Sequence, residues 1–506
     1  MRAAAESLLV NPRPRSTSAG RDLAYQVAKE LKAPCHRDSG AYGRGGFTRR
    51  GAFPNGTSAP PTRSEALPAA SGESASSTGF RRARPSGEDE LTAWLLSQAT
   101  NVERHLEALR PFRWSEFGDP ATGPSRAHLA AVNRTMATLR KPLYSATHAV
   151  RRAADEAVAR RGQAELARLL RAKSRAQRWV RTTERVWDFY LDLFNQRQGA
   201  FAPWLVACDR VALDCYQYAY LGIGRWRSIP TPPPFCYLRT GSGPATSRRG
   251  IPLRRLGNRL NPFPLIQLPY HRLVNPWTLG AVLHEVSHNL QNDLGIARAI
   301  PLQVAARLVE AGVPREVTGV WVRWNRETFA DLSALLLGGP AVVGSLFDVI
   351  GRTELETTGF APRAVHPVPY LRAKISVELL RRMGFTRHAE SYAAMWHKLY
   401  PRAKLVNAPP ALLRTADKAI PVVVDAMCYT SFPSLGHRPL AKVLRFEAKE
   451  QAMIEEAAER LADGVSPGVV PERFLIGAVR FALDERMAPP KRLFGFFMEE
   501  LGRRAR

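Results

Sequence analysis

Apolar residues first recur at helical spacing from Glu88 onward. Leu91, Leu95, Leu96, Val102, Leu106 and Leu109 follow an acidic first turn of Glu88, Asp89 and Glu90, where negative charge complements the N-terminal end of the helix dipole. The same period predicts long helices over 126–172 and 175–222, the second interrupted near Gly199 and Pro203 and carrying Val186, Phe189, Tyr190, Leu193 and Phe194 as its apolar stripe. Across 226–262 the period disappears among Pro232, Pro233, Pro234, Gly241 and Gly243, a loop composition. Gly241-x-Gly243 is followed by neither a Lys-Ser/Thr pair nor a helix start, so it reads as plain loop and not as a phosphate cradle. Residues 263–268 are the best strand candidate, and Pro264 and Pro269 bar them from a central ladder position, which predicts an edge strand. Asn275 and Pro276 then supply an N-cap and an N1 proline for a helix over 276–291, with Leu279, Val282, Leu283 and Val286 on its apolar side. Further helices are predicted over 301–312, 315–337, 340–351, 369–383, 386–399, 410–428, 449–463, 471–484 and 490–503.

Composition divides this pattern into regions. Residues 1–86 are rich in Arg, Ser, Gly, Pro and Ala without a sustained period, which predicts a disordered segment, or an over-extended start of the reading frame. With 506 residues the chain exceeds the roughly 250–300 at which one core stops growing. The expected organisation is that segment, a helical lobe over 87–225, a catalytic domain over 226–400 and a helical region over 401–506. The fold class is mainly α (α+β), with a small edge β-sheet embedded in helical lobes.

The net charge of +28 invites a nucleic-acid reading. Of the 73 basic residues 62 are Arg and 11 Lys, and Ala, Pro and Gly are also plentiful, a balance that GC-rich coding produces by itself. No run of five basic residues occurs, and no basic stretch is interleaved with aromatics, so no specific nucleic-acid partner is expected. The five cysteines are widely spaced without a Cys-x-x-Cys pair and read as reduced thiols. The most apolar stretch, 332–350, is broken by Gly338, Gly339 and Pro340 and holds Asp348, so it is no membrane span. A cytoplasmic protein is the expectation.

The chemistry lies in the helix predicted over 276–291, which contains His284-Glu285-Val286-Ser287-His288. A spacing of four places the two imidazoles about 40° apart on one helix face and about one turn of 5.4 Å apart along the axis. Two nitrogens so placed reach one zinc ion at about 2.0–2.1 Å. Glu285 projects about 100° away from His284, which makes it a poor ligand and a well-placed general base for a water at the metal. A hydrolytic zinc site takes three protein ligands and leaves one position open, so a third ligand is required downstream.

In the metzincin pattern that ligand would follow at once, with glycine at 291 and histidine at 294; Gln291 and Leu294 exclude it. In the gluzincin pattern a second helix supplies Glu-x-x-x-Asp, and Glu327-Thr-Phe-Ala-Asp331 follows with 38 residues between His288 and Glu327, within the helix predicted over 315–337. Over roughly 263–338 the chain therefore resembles the gluzincin-type, thermolysin-like zinc metallopeptidases. The resemblance implies a zincin core, one Zn2+ held by His284, His288 and Glu327, and a peptide or protein substrate paired along the strand at 263–268. Glu327 and Asp331 share a helix face, so Glu327 binds the metal while Asp331 accepts the free ring N–H of a ligand histidine. The family chemistry also needs a donor for the developing oxyanion, and His366, ahead of Pro367, Tyr370 and Arg372, is the candidate. One departure stands out: the thermolysin subgroup has Asn directly before the ligand Glu, and here Arg326 intervenes after Asn325. Other readings run beside this one. Glu327 as a solvated carboxylate paired with Arg323 is the bland alternative, and Asp293 is expected to cap the turn before Gly295. At the level of function the alternatives are a catalytically silent zincin scaffold that binds a protein partner, or an Arg-rich nucleic-acid binder.

Overall fold

The computed structural model describes residues 87–505 apart from 225–227, 242 and 402–403; the segment expected to be disordered, 1–86, lies outside the described residues. Of the structure, 71% is helical and 5% lies in strands, a mainly-α fold with a small sheet. The N-terminal lobe is built from α1 (Gly87–Ala108), α2 (Arg126–Arg160) and α3 (Gln163–Asn195), followed by α4 (Ala202–Ile223). The break between α2 and α3 falls at Arg161-Gly162 and not near 172–175. Arg161 takes the left-handed conformation (φ 52°) and its N–H closes the last turn on Ala157 O, whereas no breaker interrupts Arg171 to Arg175. Pro203 lies in the first turn of α4, where a missing N–H costs nothing.

The stretch read as plain loop contains β1 (Phe235–Leu238), β2 (Ala245–Ser247), β3 (Pro252–Leu253) and β4 (Arg259–Leu260), and β5 (Leu265–Leu268) follows. Strand β5 is central, not at an edge: the sheet order is β1-β5-β2, with β5 parallel to β1 and antiparallel to β2. The prolines that argued for an edge bracket the strand instead. Pro264 precedes it and contributes only its carbonyl, which accepts from Phe235 N–H (2.9 Å), and Pro269 follows it as the N-cap of α5 (Tyr270–Leu273). The sheet is buried on both faces. Cys236, Ile266 and Leu268 join the large core that surrounds the helices below, while Phe235, Tyr237 and Leu265 pack on Phe112, Leu129, Tyr190 and Phe194 of the lobe. Side chains close the outer edge of β1 as a strand would: Gln196 accepts from Leu238 N–H and donates to Leu238 O, while Asp209 accepts from Cys236 N–H and Arg197 donates to Cys236 O. Among the described residues no strand pairs with the outer side of β2.

Helix α6 (Gly280–Asp293) begins after a 3-10 turn at Pro276–Thr278. Asn275 does not cap it; its side-chain amide donates to His271 O, and Thr278 takes Asn275 O. Helices α7 (Ala299–Glu310), α8 (Arg315–Gly338), α9 (Ala341–Ile350), α10 (Glu354–Thr358) and α11 (Pro369–Arg382) follow, then α12 (Thr386–Leu399) and α13 (Pro410–Val424). After the small pair β6 (Ser431–Phe432) and β7 (Arg438–Pro439) the chain closes with α14 (Leu440–Val443), α15 (Ala448–Ala462), α16 (Glu472–Asp484) and α17 (Pro490–Ala505). One buried cluster runs from Leu205 to Leu501 and takes side chains from both sides of residue 400. At its centre α8 is buried almost all round, with Trp321, Trp324 and Phe329 no more than 1% exposed, as befits a helix enclosed by others. Gly280 lets α6 approach α9, because a Cβ there would stand 2.7 Å from Ser345 Cβ.

Candidate metal centre

Three helices meet at one point. Helix α6 presents His284 and His288 from one face, as the spacing of four requires, with their rings at right angles and 4.8 Å between centroids. Helix α8 brings Glu327 across the core, and its Oε2 lies 3.4 Å from His284 Nε2 and 3.5 Å from His288 Nε2. Ligands about 2.0 Å from a tetrahedral ion stand about 3.3 Å apart, close to the two separations from Glu327 to the histidines. Within the described residues these three form a group with every donor atom inside 4.8 Å of the others.

The outer partners fix the ring and the charge. His284 Nδ1 lies 2.8 Å from Asp331 Oδ1, so Nδ1–H donates to that carboxylate while Nε2 faces Glu327. Arg372, from α11, in turn donates to both oxygens of Asp331 at 2.7 Å, a fork-on-carboxylate pair in which both residues are buried. Burial opposes charge on Asp331, but Arg372 and then His284 outweigh it and hold the carboxyl down at about 2. Burial likewise disfavours a charged His284, yet hydrogen bonds to Asp331 and Glu327 raise it to about 10 without a metal. For Glu327 burial is again overcome, chiefly by His288, and the carboxyl lies well below its usual range.

Glu285, 5% exposed, is held above the ordinary carboxylate range, first by burial, against the pull of His288 and His284. Such a carboxylate suits proton abstraction. His366, in the loop before α11, places Nε2 3.1 Å from Glu327 Oε2 while its side chain is 59% exposed. One carboxylate oxygen is thus faced by three imidazole nitrogens, with the wall open towards solvent on the His366 side.

Every site residue named from the sequence therefore converges here, including Asp331 and His366. Arg323 does not neutralise Glu327; it donates to Pro362 O and ties down the loop that leads to His366. Asp293 does not cap the turn before Gly295, since its carboxylate accepts from Tyr216 Oη–H (2.7 Å). The residue that sequence reasoning passed over is Arg372. The available signal was slight: Arg372 stands between Leu371 and Ala373, and Lys374 follows two positions on, so only burial of the first cation, which demands a carboxylate partner, separates the two. Asn289, one step past His288, donates to Thr246 Oγ1 (2.8 Å) and fastens β2 to the metal helix. No family model matches this chain, and neither a characterised protein nor a solved structure matches it.

Proposed function

We propose that this chain is a zinc-dependent hydrolase of the gluzincin type that cleaves peptide bonds. The observation that carries the reading is the arrival of Glu327, separated from His288 by 38 residues, at 3.4 and 3.5 Å from the two Nε2 atoms. His284, His288 and Glu327 would hold the ion. Zinc bound there lowers the pKa of water to about 7 and polarises a carbonyl.

The protein's own groups do the remainder. Glu285 takes a proton from the attacking water and hands it to the departing amine. His366 donates to the oxygen on which negative charge develops. Asp331 keeps His284 in the Nδ1–H tautomer, and Arg372 keeps Asp331 ionised and oriented. The substrate-pairing edge moves from the strand expected over 263–268 to β2, because β5 is paired on both sides and side chains close β1, while β2 is fastened to the metal helix. An extended peptide adds to the free side of β2 through main-chain hydrogen bonds. A cytoplasmic setting suits four described cysteines that are all free and buried, and among the described residues no helix is long and apolar enough to cross a membrane.

The test pairs a mixed peptide-library digest with zinc analysis of Glu285→Gln. Cleavage by the wild type and none by Glu285→Gln, with zinc retained in both, is the expected result. Zinc binding without cleavage by the wild type would favour the silent scaffold.

A further inference from the structure

The outward face of α3 carries Arg171, Arg175, Arg178, Arg181 and Arg185, all exposed. At about 100° per residue they fall within an arc of about 120°, and at about 1.5 Å per residue the row is about 21 Å long. Arg171, Arg175 and Arg178 stand four and three apart, the spacing at which like charges on a helix repel one another. Their basic neighbours are engaged: Arg168 pairs with Glu156 at 2.6 Å, and Lys173 sits over the Trp94 ring at 5.4 Å. The five arginines of the row have no ion-pair partner among the described residues. Of the four carboxylates of the same helix, Glu165 lies in the first turn and Glu184, Asp188 and Asp192 lie towards the C-terminal end. Beside the row lies the β3–β4 hairpin, where a Cβ on Gly257 would stand 3.8 Å from Thr182 Cγ2, and it adds the exposed Arg254.

We propose that this face binds the phosphate backbone of duplex nucleic acid without reading its sequence. A straight, rigid row of about 21 Å faces about twelve duplex phosphates at about 1.7 Å of axis per charge. Residues between the arginines, Ser174 and Thr182, are polar, so the surface has no aromatic platform of the kind that holds single strands. It also lacks the apolar stripe that a helix lying on a membrane inserts, with Leu170 the exposed apolar residue at its border. Arginine forks are suited to phosphate oxygens, and counter-ion release would offset the repulsion within the row.

The experiment is fluorescence anisotropy of the full chain with a labelled 20-base-pair duplex of arbitrary sequence across a KCl series. With each of the five arginines neutralising one phosphate at about −0.9, the expected log–log slope is about −4.5. In Arg171→Glu/Arg175→Glu/Arg178→Glu affinity should fall at least tenfold and the slope flatten by about 2.7. The charge-matched control Arg315→Glu/Arg387→Glu/Arg414→Glu alters exposed arginines elsewhere and should stay within threefold of the wild type. A matching Arg→Gln triple replaces the Glu triple if its far-ultraviolet circular dichroism shows lost helix. Equal losses in both triples, or binding to phosphatidylserine vesicles but not to the duplex at 50 mM KCl, would overturn the proposal.

Discussion

Glu285→Gln keeps the size of the side chain and removes its basicity, so hydrolysis should vanish while zinc content is unchanged, as read by turnover and elemental analysis on one preparation. His366→Ala should lower kcat by about 100- to 1,000-fold, the scale of losing one oxyanion donor, with zinc retained, because His366 lies outside the ligand triad. Loss of zinc in this variant would instead make His366 a ligand. A different histidine governs stability against pH. His128, wedged between Phe235 and Phe263, lies near Ser125 Oγ and Pro233 O (2.8 and 3.0 Å). Burial lowers it from 6.5 to about 4. A histidine depressed in the fold stabilises it fully above pH 6.5, and that contribution, about 3 kcal/mol for such a shift, fades as pH falls towards 4. The melting temperature should therefore drop between pH 6.5 and 4 in the wild type, and less steeply in His128→Gln.

Helix α11 reaches the site through Arg372, which holds Asp331. Arg372→Met strands a buried carboxylate, and zinc affinity should weaken by about 10- to 100-fold, measured by chelator competition, with the metal-free protein still folded. Gly280→Ala forces α6 away from Ser345 and should cost about 1–3 kcal/mol, read as a lower midpoint in urea. These elements differ in how openly the sequence announced them. From 299 to the C-terminus the nine expected helices match their ranges within a few residues, because most alternate a buried stripe with polar positions, while the short α10 and α14 have no period to announce them. The strands were obscured for the opposite reason. β1 and β5 are four residues each and buried on both sides, too short for a period, and pairing between 235–238 and 265–268 is a non-local event that no local pattern encodes. Pro264 and Pro269 misled because the strand stops short of both. At the site the i, i+4 spacings made His284, His288, Glu327 and Asp331 legible, while Arg372 depends on α11 crossing α8.

Through Glu327, His284 and Arg372 the centre joins α6, α8 and α11 across one core, so bound zinc should stabilise the entire described chain and not one segment. At free zinc about 100-fold above Kd the gain is about 2.7 kcal/mol, visible as a higher melting temperature that a chelator abolishes; an unchanged midpoint would mean the helices are held without the metal. The excess of 28 positive charges places a second demand on the molecule, since self-repulsion on this scale weakens with salt. The most direct measurement is the zinc content of the purified, unchelated chain beside His288→Ala and Glu327→Ala. About one zinc per chain, absent from both folded variants, is the predicted result; a folded wild type without metal would contradict the metal centre and the hydrolase built on it.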